Sequence, residues 1–169
     1  MMQKQYGLIY FILLIAVVIL ESTILLPLKI HNTRPDIVML MIIFFAHQRG
    51  NIQGSLMGFT VGVVMDIIGM APLGFHSFIY TIVGYFFGST KGKVYIDALT
   101  LPVLLALLAT LIKYVLSFIL SAVFEPSRLG AFFTVSILIE FGFNALISPF
   151  LYAVLRVLKL SREHETQMI

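Results

Sequence analysis

From Leu101 to Phe124 the chain carries a single charged side chain, Lys113, in an otherwise apolar run. A run of about 20 such residues is what an α-helix needs to cross a hydrocarbon core of about 30 Å. Five other apolar runs occur, at residues 7–28, 36–47, 52–69, 73–89 and 131–158. The chain is 169 residues long, 60% hydrophobic and 11% charged, with a mean hydropathy of +1.03. Soluble chains run at roughly 45–50% apolar and about 25% charged. Six spans consume about 120 residues, which excludes a soluble catalytic domain, a nucleic-acid-binding domain and any sizeable extramembrane domain. The expected fold is all-α: a polytopic integral membrane helical bundle of five to six transmembrane helices, six favoured, forming one transmembrane domain over 1–169.

The prolines mark where the runs break. Pro27 closes the first, Pro35 opens the second, Pro72 separates the third from the fourth, and Pro126 divides the fifth from the sixth. Pro102 sits in a first turn, where its missing N–H is unpaired in any case. Pro149 alone falls inside a run and is expected to kink the last helix. The first run follows only Lys4 and lacks a small-residue cleavage site, so it reads as a retained helix. Cysteine is absent, which leaves no disulfide framework and no thiolate metal site.

The second run is the shortest. Residues 36–47 rise only about 18 Å as a helix, so the segment is either a short span in a thinned or protein-lined position or a re-entrant segment. Basic residues orient the chain. With six crossings and the N-terminus inside, the cytoplasm receives Lys4, Arg49, Lys91, Lys93, Arg156, Lys159 and Arg162, against Lys29, Arg34 and Arg128 outside. With five crossings and the N-terminus outside, Lys29 and Arg34 join the cytoplasmic set and Lys4 leaves it. Both arrangements place Lys91, Lys93 and the C-terminus in the cytoplasm.

Within the spans, Gly54, Gly58 and Gly62 recur every fourth residue, with Asp66 next. His76, Tyr80, Gly84, Gly88 and Gly92 repeat that spacing. Residues four apart share a helix face, and glycine there lets a second backbone approach closely. The stripes read as packing inside this chain or as a partner-binding face. Asp66 falls in the last turn of its helix, where the dipole disfavours an anion. If the turn centres on Ala71, level residues have numbers totalling about 142, which sets His76 opposite Asp66. The pair reads as an Asp–His contact, as a carboxylate reaching interfacial water, or as a relay or ligand. Arg34-Pro35-Asp36 reads as a helix start, with Pro35 in the first helical position and Asp36 at the positive helix end. Glu21 near an outer helix end reads as snorkelling.

Lys113 and Glu140 lie near mid-span. A hairpin turning near Pro126 and Ser127 makes residues level when their numbers total about 253, as 113 and 140 do. A lone charge at the centre of a span costs about 2.5–3.5 kcal/mol, so the spacing predicts an intramembrane ion pair. Thr110, Ser117 and Ser121 on one helix and Ser136, Asn144 and Ser148 on the other extend it into a polar seam, either a structural clamp or a cavity lining. The alternative is a protonated, unpaired Glu140 with Lys113 snorkelling along its stem. No Gly-x-Ser-x-Gly elbow, His-Glu-x-x-His or phosphate-binding glycine loop is present, and His31, His47, His76 and His164 lack metal-ligand spacing.

Arg34-Pro35-Asp36, the apolar run to His47, Gly58-x-x-x-Gly62-x-x-x-Asp66, Pro72-Leu73-Gly74 and Gly84-Tyr85 occur in that order. In these residues, and in Asn144, Pro149 and the basic end from Arg156 to Arg162, the chain resembles the rod shape-determining protein MreD family. The resemblance implies a non-catalytic subunit of the bacterial cell-elongation (rod-shape) complex in the inner membrane, helping to organise lateral-wall peptidoglycan synthesis. It implies MreC, the actin-like MreB filament, RodA and a class B penicillin-binding protein as partners, with membrane lipid around it, no cofactor and no nucleic acid. The family is similar in architecture to the substrate-binding subunits of energy-coupling-factor vitamin transporters, which makes such a subunit the rival reading. Those subunits often carry an Ala-x-x-x-Ala stripe on the first helix, where this chain has only Ala16.

Overall fold

A computed structural model describes residues 2–23, 33–69, 71–93, 100–124 and 135–157. The expectations at Pro27, at the turn around Pro126 and Ser127, and in the tail carrying Lys159, Arg162 and His164 lie outside the described residues. Those residues form six helices: α1 (Met2–Thr23), α2 (Ile37–Arg49), α3 (Asn51–Ile68), α4 (Phe75–Gly88), α5 (Thr100–Phe124) and α6 (Ser136–Val157). By length and composition α3, α5 and α6 are long and apolar enough to cross a membrane, while Ile12–Glu21 and Ile37–Arg49 are shorter apolar helical stretches.

Successive helices alternate in direction. Tyr10 of α1 donates to the Met41 carbonyl of α2, while Glu21 at the other end of α1 lies against Val38. Gly54 faces Gly84 and Gly62 faces Ser77 across α3 and α4. Lys113 meets Glu140, and Thr110 meets Asn144, across α5 and α6. The starts of α1, α3 and α5 therefore share one end of the bundle with the ends of α2, α4 and α6. Arg49, Lys91, Lys93 and Arg156 all belong to that end.

The shortest apolar helix is the core. Every residue of α2 from Val38 to His47 is buried, and α2 touches all five other helices. A helix apolar all round is stable only when surrounded by protein or lipid; here the surround is protein. Tyr10 stacks on Phe44 and packs on Phe45, and Tyr152 of α6 meets Phe44 edge-on at 4.9 Å. Thirteen residues rise about 20 Å, less than a hydrocarbon core of about 30 Å. At its other end Gly50 adopts φ +101° and returns its N–H to the Ala46 carbonyl at 2.8 Å. That left-handed conformation is open to glycine with little strain. One residue thus reverses the chain from α2 into α3.

The α3–α4 pair is held by its glycines. A Cβ on Gly58 would overlap the Tyr80 carbonyl, one on Gly62 the Ser77 backbone, and one on Gly88 the Asn51 backbone, while Gly54 and Gly84 face each other. The stripe therefore packs within this chain. Gly92 does not continue it: it lies in the turn beyond α4 at φ +71° with open space around it. Of the remaining motif residues, Leu73 and Tyr85 are exposed, and Gly74 caps the start of α4 at φ +98°. α6 continues through Pro149.

Candidate functional site

The start of α2 poses a problem of local chemistry. The first N–H groups of any helix lack intrahelical partners, and here Asp36, Val38 and Met39 are buried away from bulk water. Asp36 is the N-cap, and its Oδ1 accepts from the Met39 N–H at 2.8 Å. The Val38 N–H points to Glu21 Oε2 of α1 at 3.4 Å. The Asp36 N–H donates to Asn144 Oδ1 of α6 at 2.9 Å, and Asn144 in turn donates to Thr110 Oγ1 of α5 at 2.9 Å. Arg34 donates to the Glu21 carbonyl at 2.8 Å, with its Nε 4.0 Å from the Glu21 carboxylate.

Charged side chains converge on the same point. Lys113 Nζ lies 2.6 Å from Asp36 Oδ2 and 2.6 Å from Glu140 Oε1. Tyr114 donates to Glu140 Oε2 at 2.6 Å, and Tyr80 of α4 reaches both Asp36 oxygens at 3.1 and 3.2 Å. Glu21, Asp36, Glu140 and Asn144 are buried. Five helices, α1, α2, α4, α5 and α6, therefore meet at one helix start. Charge-assisted bonds of this kind are short and roughly twice as strong as neutral ones, and a low-dielectric surround strengthens them further.

Sequence reasoning set Lys113 level with Glu140 and treated Asp36 only as a helix start. The structure adds that Lys113 also holds Asp36 and that Tyr80 and Tyr114 complete the cluster, while Asn144 of the expected polar seam accepts from the Asp36 N–H. Glu21 does not snorkel: it is buried at 2% exposure. Among the seam residues, Thr110, Ser117, Ser121, Asn144 and Ser148 are buried, and Ser136 is half-buried.

A second carboxylate closes the α3–α4 turn. Gly74, the N-cap of α4, has no side chain to offer. Asp66 replaces it from the neighbouring helix, accepting from the N–H groups of Gly74 (2.9 Å), His76 (2.8 Å) and Ser77 (3.1 Å). The Ser77 hydroxyl donates at 2.6 Å, and His76 Nδ1 lies 2.9 Å away. The pairings that carry this hairpin, Gly58 with Tyr80 and Gly54 with Gly84, centre it near Gly69 and not on Ala71. Residues 71–74 thus lie on the α4 side of that centre, an asymmetric connection, and Asp66 reaches along the α4 start. The unfavourable dipole of its own helix is offset by the favourable one of α4.

Among the described residues, no group of three or more His, Cys, Asp or Glu side chains is arranged to hold a metal ion. What the cluster can do chemically is fix five helices in register.

The model of one protein family, described as rod shape-determining protein MreD, matches residues 2–158. No curated protein and no solved structure matches the chain.

Proposed function

Because the chain belongs to the rod shape-determining protein MreD family, we propose that it is the scaffold subunit that helps organise lateral-wall peptidoglycan synthesis in the bacterial cytoplasmic membrane. The family is a non-catalytic, multi-pass part of the cell-shape machinery, which makes this chain a member of the rod-shape complex. MreC is its direct partner in this reading, with MreB, RodA and a class B penicillin-binding protein in the same assembly. The observation that carries the reading is the family match over residues 2–158. The use of Lys113, Asp36 and Glu140 on one another supports it, because such bonds suit a rigid platform.

In this reading the chain makes six crossings with both termini in the cytoplasm, and the alternating direction of the helices supports it. The shared basic end supports that orientation, since Arg49, Lys91, Lys93 and Arg156 would lie on the side that retains positive charge. The Lys113–Asp36–Glu140 cluster and the Asp66–His76 contact are structural clamps in this reading, and Gly54, Gly58, Gly62, Gly84 and Gly88 are helix-packing positions. Depletion of the protein from growing cells tests the assignment. Rounding followed by lysis is the expected result; normal rods with a new vitamin requirement would replace the scaffold by a transporter subunit.

A further inference from the structure

Pro149 lies inside α6, with regular helix on both sides of it. A proline has no N–H to return to the carbonyl four residues back, here that of Ala145. The Ser148 hydroxyl donates to that carbonyl instead, at 3.1 Å. A side-chain bond therefore stands where a regular helix has a backbone bond, and such interruptions of the ladder are where helices bend.

The two parts of α6 are held by different chemistry. Before Pro149, Asn144 accepts from the Asp36 N–H and donates to Thr110, each at 2.9 Å, while Glu140 meets Lys113 and Tyr114, each at 2.6 Å. Directional bonds of this kind fix both position and rotation. Past Pro149, Leu151, Tyr152 and Leu155 pack on the core, with Tyr152 edge-on to Phe44 at 4.9 Å. Apolar burial is non-directional, so these contacts tolerate sliding. At the junction the packing is incomplete. A cavity of about 30 Å³ is lined by Ile43 and Phe44 of α2, Ala106 of α5, and Ser148 and Leu151 of α6. Wall atoms beside a void lack dispersion partners on that side, so little packing is lost when α6 moves at this level. Phe150 and Val157 on the opposite face are exposed and apolar, so a swing away from α2 meets lipid chains and not protein.

We propose that Ser148 and Pro149 form a hinge in α6, about which the segment from Phe150 to Val157 swings away from α2 while the start of the helix stays clamped to Asp36 and Lys113. The movement gives Arg156 at the basic end a second position without breaking the charge cluster. The inference goes beyond the scaffold role and does not depend on it, since it rests on how α6 is packed.

Paired spin labels on the full chain in nanodiscs test it, and the absence of cysteine from the sequence lets each pair be placed without background. Ile52→Cys with Ala153→Cys spans α3 and α6 past the hinge, and Ile67→Cys with Leu138→Cys spans the same two helices before it. All four positions are exposed. By double electron–electron resonance the Ile67–Leu138 pair should give a single distance, and the Ile52–Ala153 pair a second, longer one besides the first. Ser148→Ala removes the brace on the Ala145 carbonyl and should raise the share of the longer distance. Pro149→Ala restores the backbone bond and should remove it. A single distance for both pairs would overturn the hinge, as would a second distance that persists in Pro149→Ala. Two distances in both pairs would also overturn it, by showing that α6 moves as one rod.

Discussion

The ammonium of Lys113 lies 2.6 Å from a carboxylate oxygen of Asp36, a residue 77 positions away in the chain. That distance ties the α5–α6 hairpin to the point where α2 begins, and it makes Lys113 the shared counter-ion of two carboxylates. Removing one partner of a buried pair costs about 3–5 kcal/mol because the other is stranded.

Lys113→Met is therefore expected to be the most damaging change in the cluster, by about 3–5 kcal/mol, since it strands both Asp36 and Glu140. Glu140→Gln should cost less, because Asp36 still neutralises the ammonium. The Lys113→Met/Glu140→Gln double variant should recover only part of the loss. Adding Asp36→Asn, which keeps a good N-cap, should recover more. Thermal unfolding in detergent reads the series; simple additivity of the single losses would show that the three side chains do not act together.

A different balance holds at the α3–α4 turn. Asp66→Ala removes the acceptor for three backbone N–H groups at once. A lost cap costs about 0.5–2 kcal/mol, and the orphaned donors add to it. His76→Ala removes one side-chain contact and leaves the capping bonds in place. The melting temperature should fall clearly more for Asp66→Ala than for His76→Ala; equal losses would mean that the side-chain pair, and not the cap, holds the turn.

Close helix contact at Gly58 predicts that even alanine is too large there. Gly58→Ala and Gly62→Ala should lower the folded yield, because each methyl meets backbone that cannot yield locally. Gly142→Ala is the matched control: its Cβ enters open space, and alanine is favoured over glycine by about 0.8–1.0 kcal/mol in a helix. Size-exclusion profiles of the three variants decide the matter. Normal profiles for Gly58→Ala and Gly62→Ala would place α3 and α4 further apart.

Both ends of the chain carry the orientation prediction. A phosphatase fused after Ile169 and another after Gln3 should each be inactive, while cytoplasm-active fluorescent reporters at both sites should be bright. An active phosphatase at Gln3 alone would mean an odd number of crossings.

Much of the helix layout is legible as runs of apolar residues between prolines and glycines, because a bilayer-spanning helix is mainly a matter of length and polarity. The level of Lys113 with Glu140 follows from counting outward from one turn, since neighbours in a hairpin need no other information. Asp36 cannot be reached by such counting: 77 residues and several turns separate it from Lys113, so only the packed bundle brings them together. The short second run shows a related limit. Its length says that it falls short of a bilayer, but not that four other helices converge on its start, two of them supplying partners for its backbone N–H groups. At Asp66 the composition gives the right carboxylate, and the asymmetric connection beyond Gly69 decides which donors it meets. Tyr80 and Tyr114 carry no signal of their own, because a tyrosine in an apolar run is equally an interface anchor.

Co-purification tests the scaffold assignment most directly. Captured from detergent-solubilised membranes of the native cell through an affinity tag on the full chain, the protein should bring down MreC as its main membrane partner, with the other rod-complex proteins in lower amounts. Capture of a vitamin-transporter energising module without MreC would contradict it.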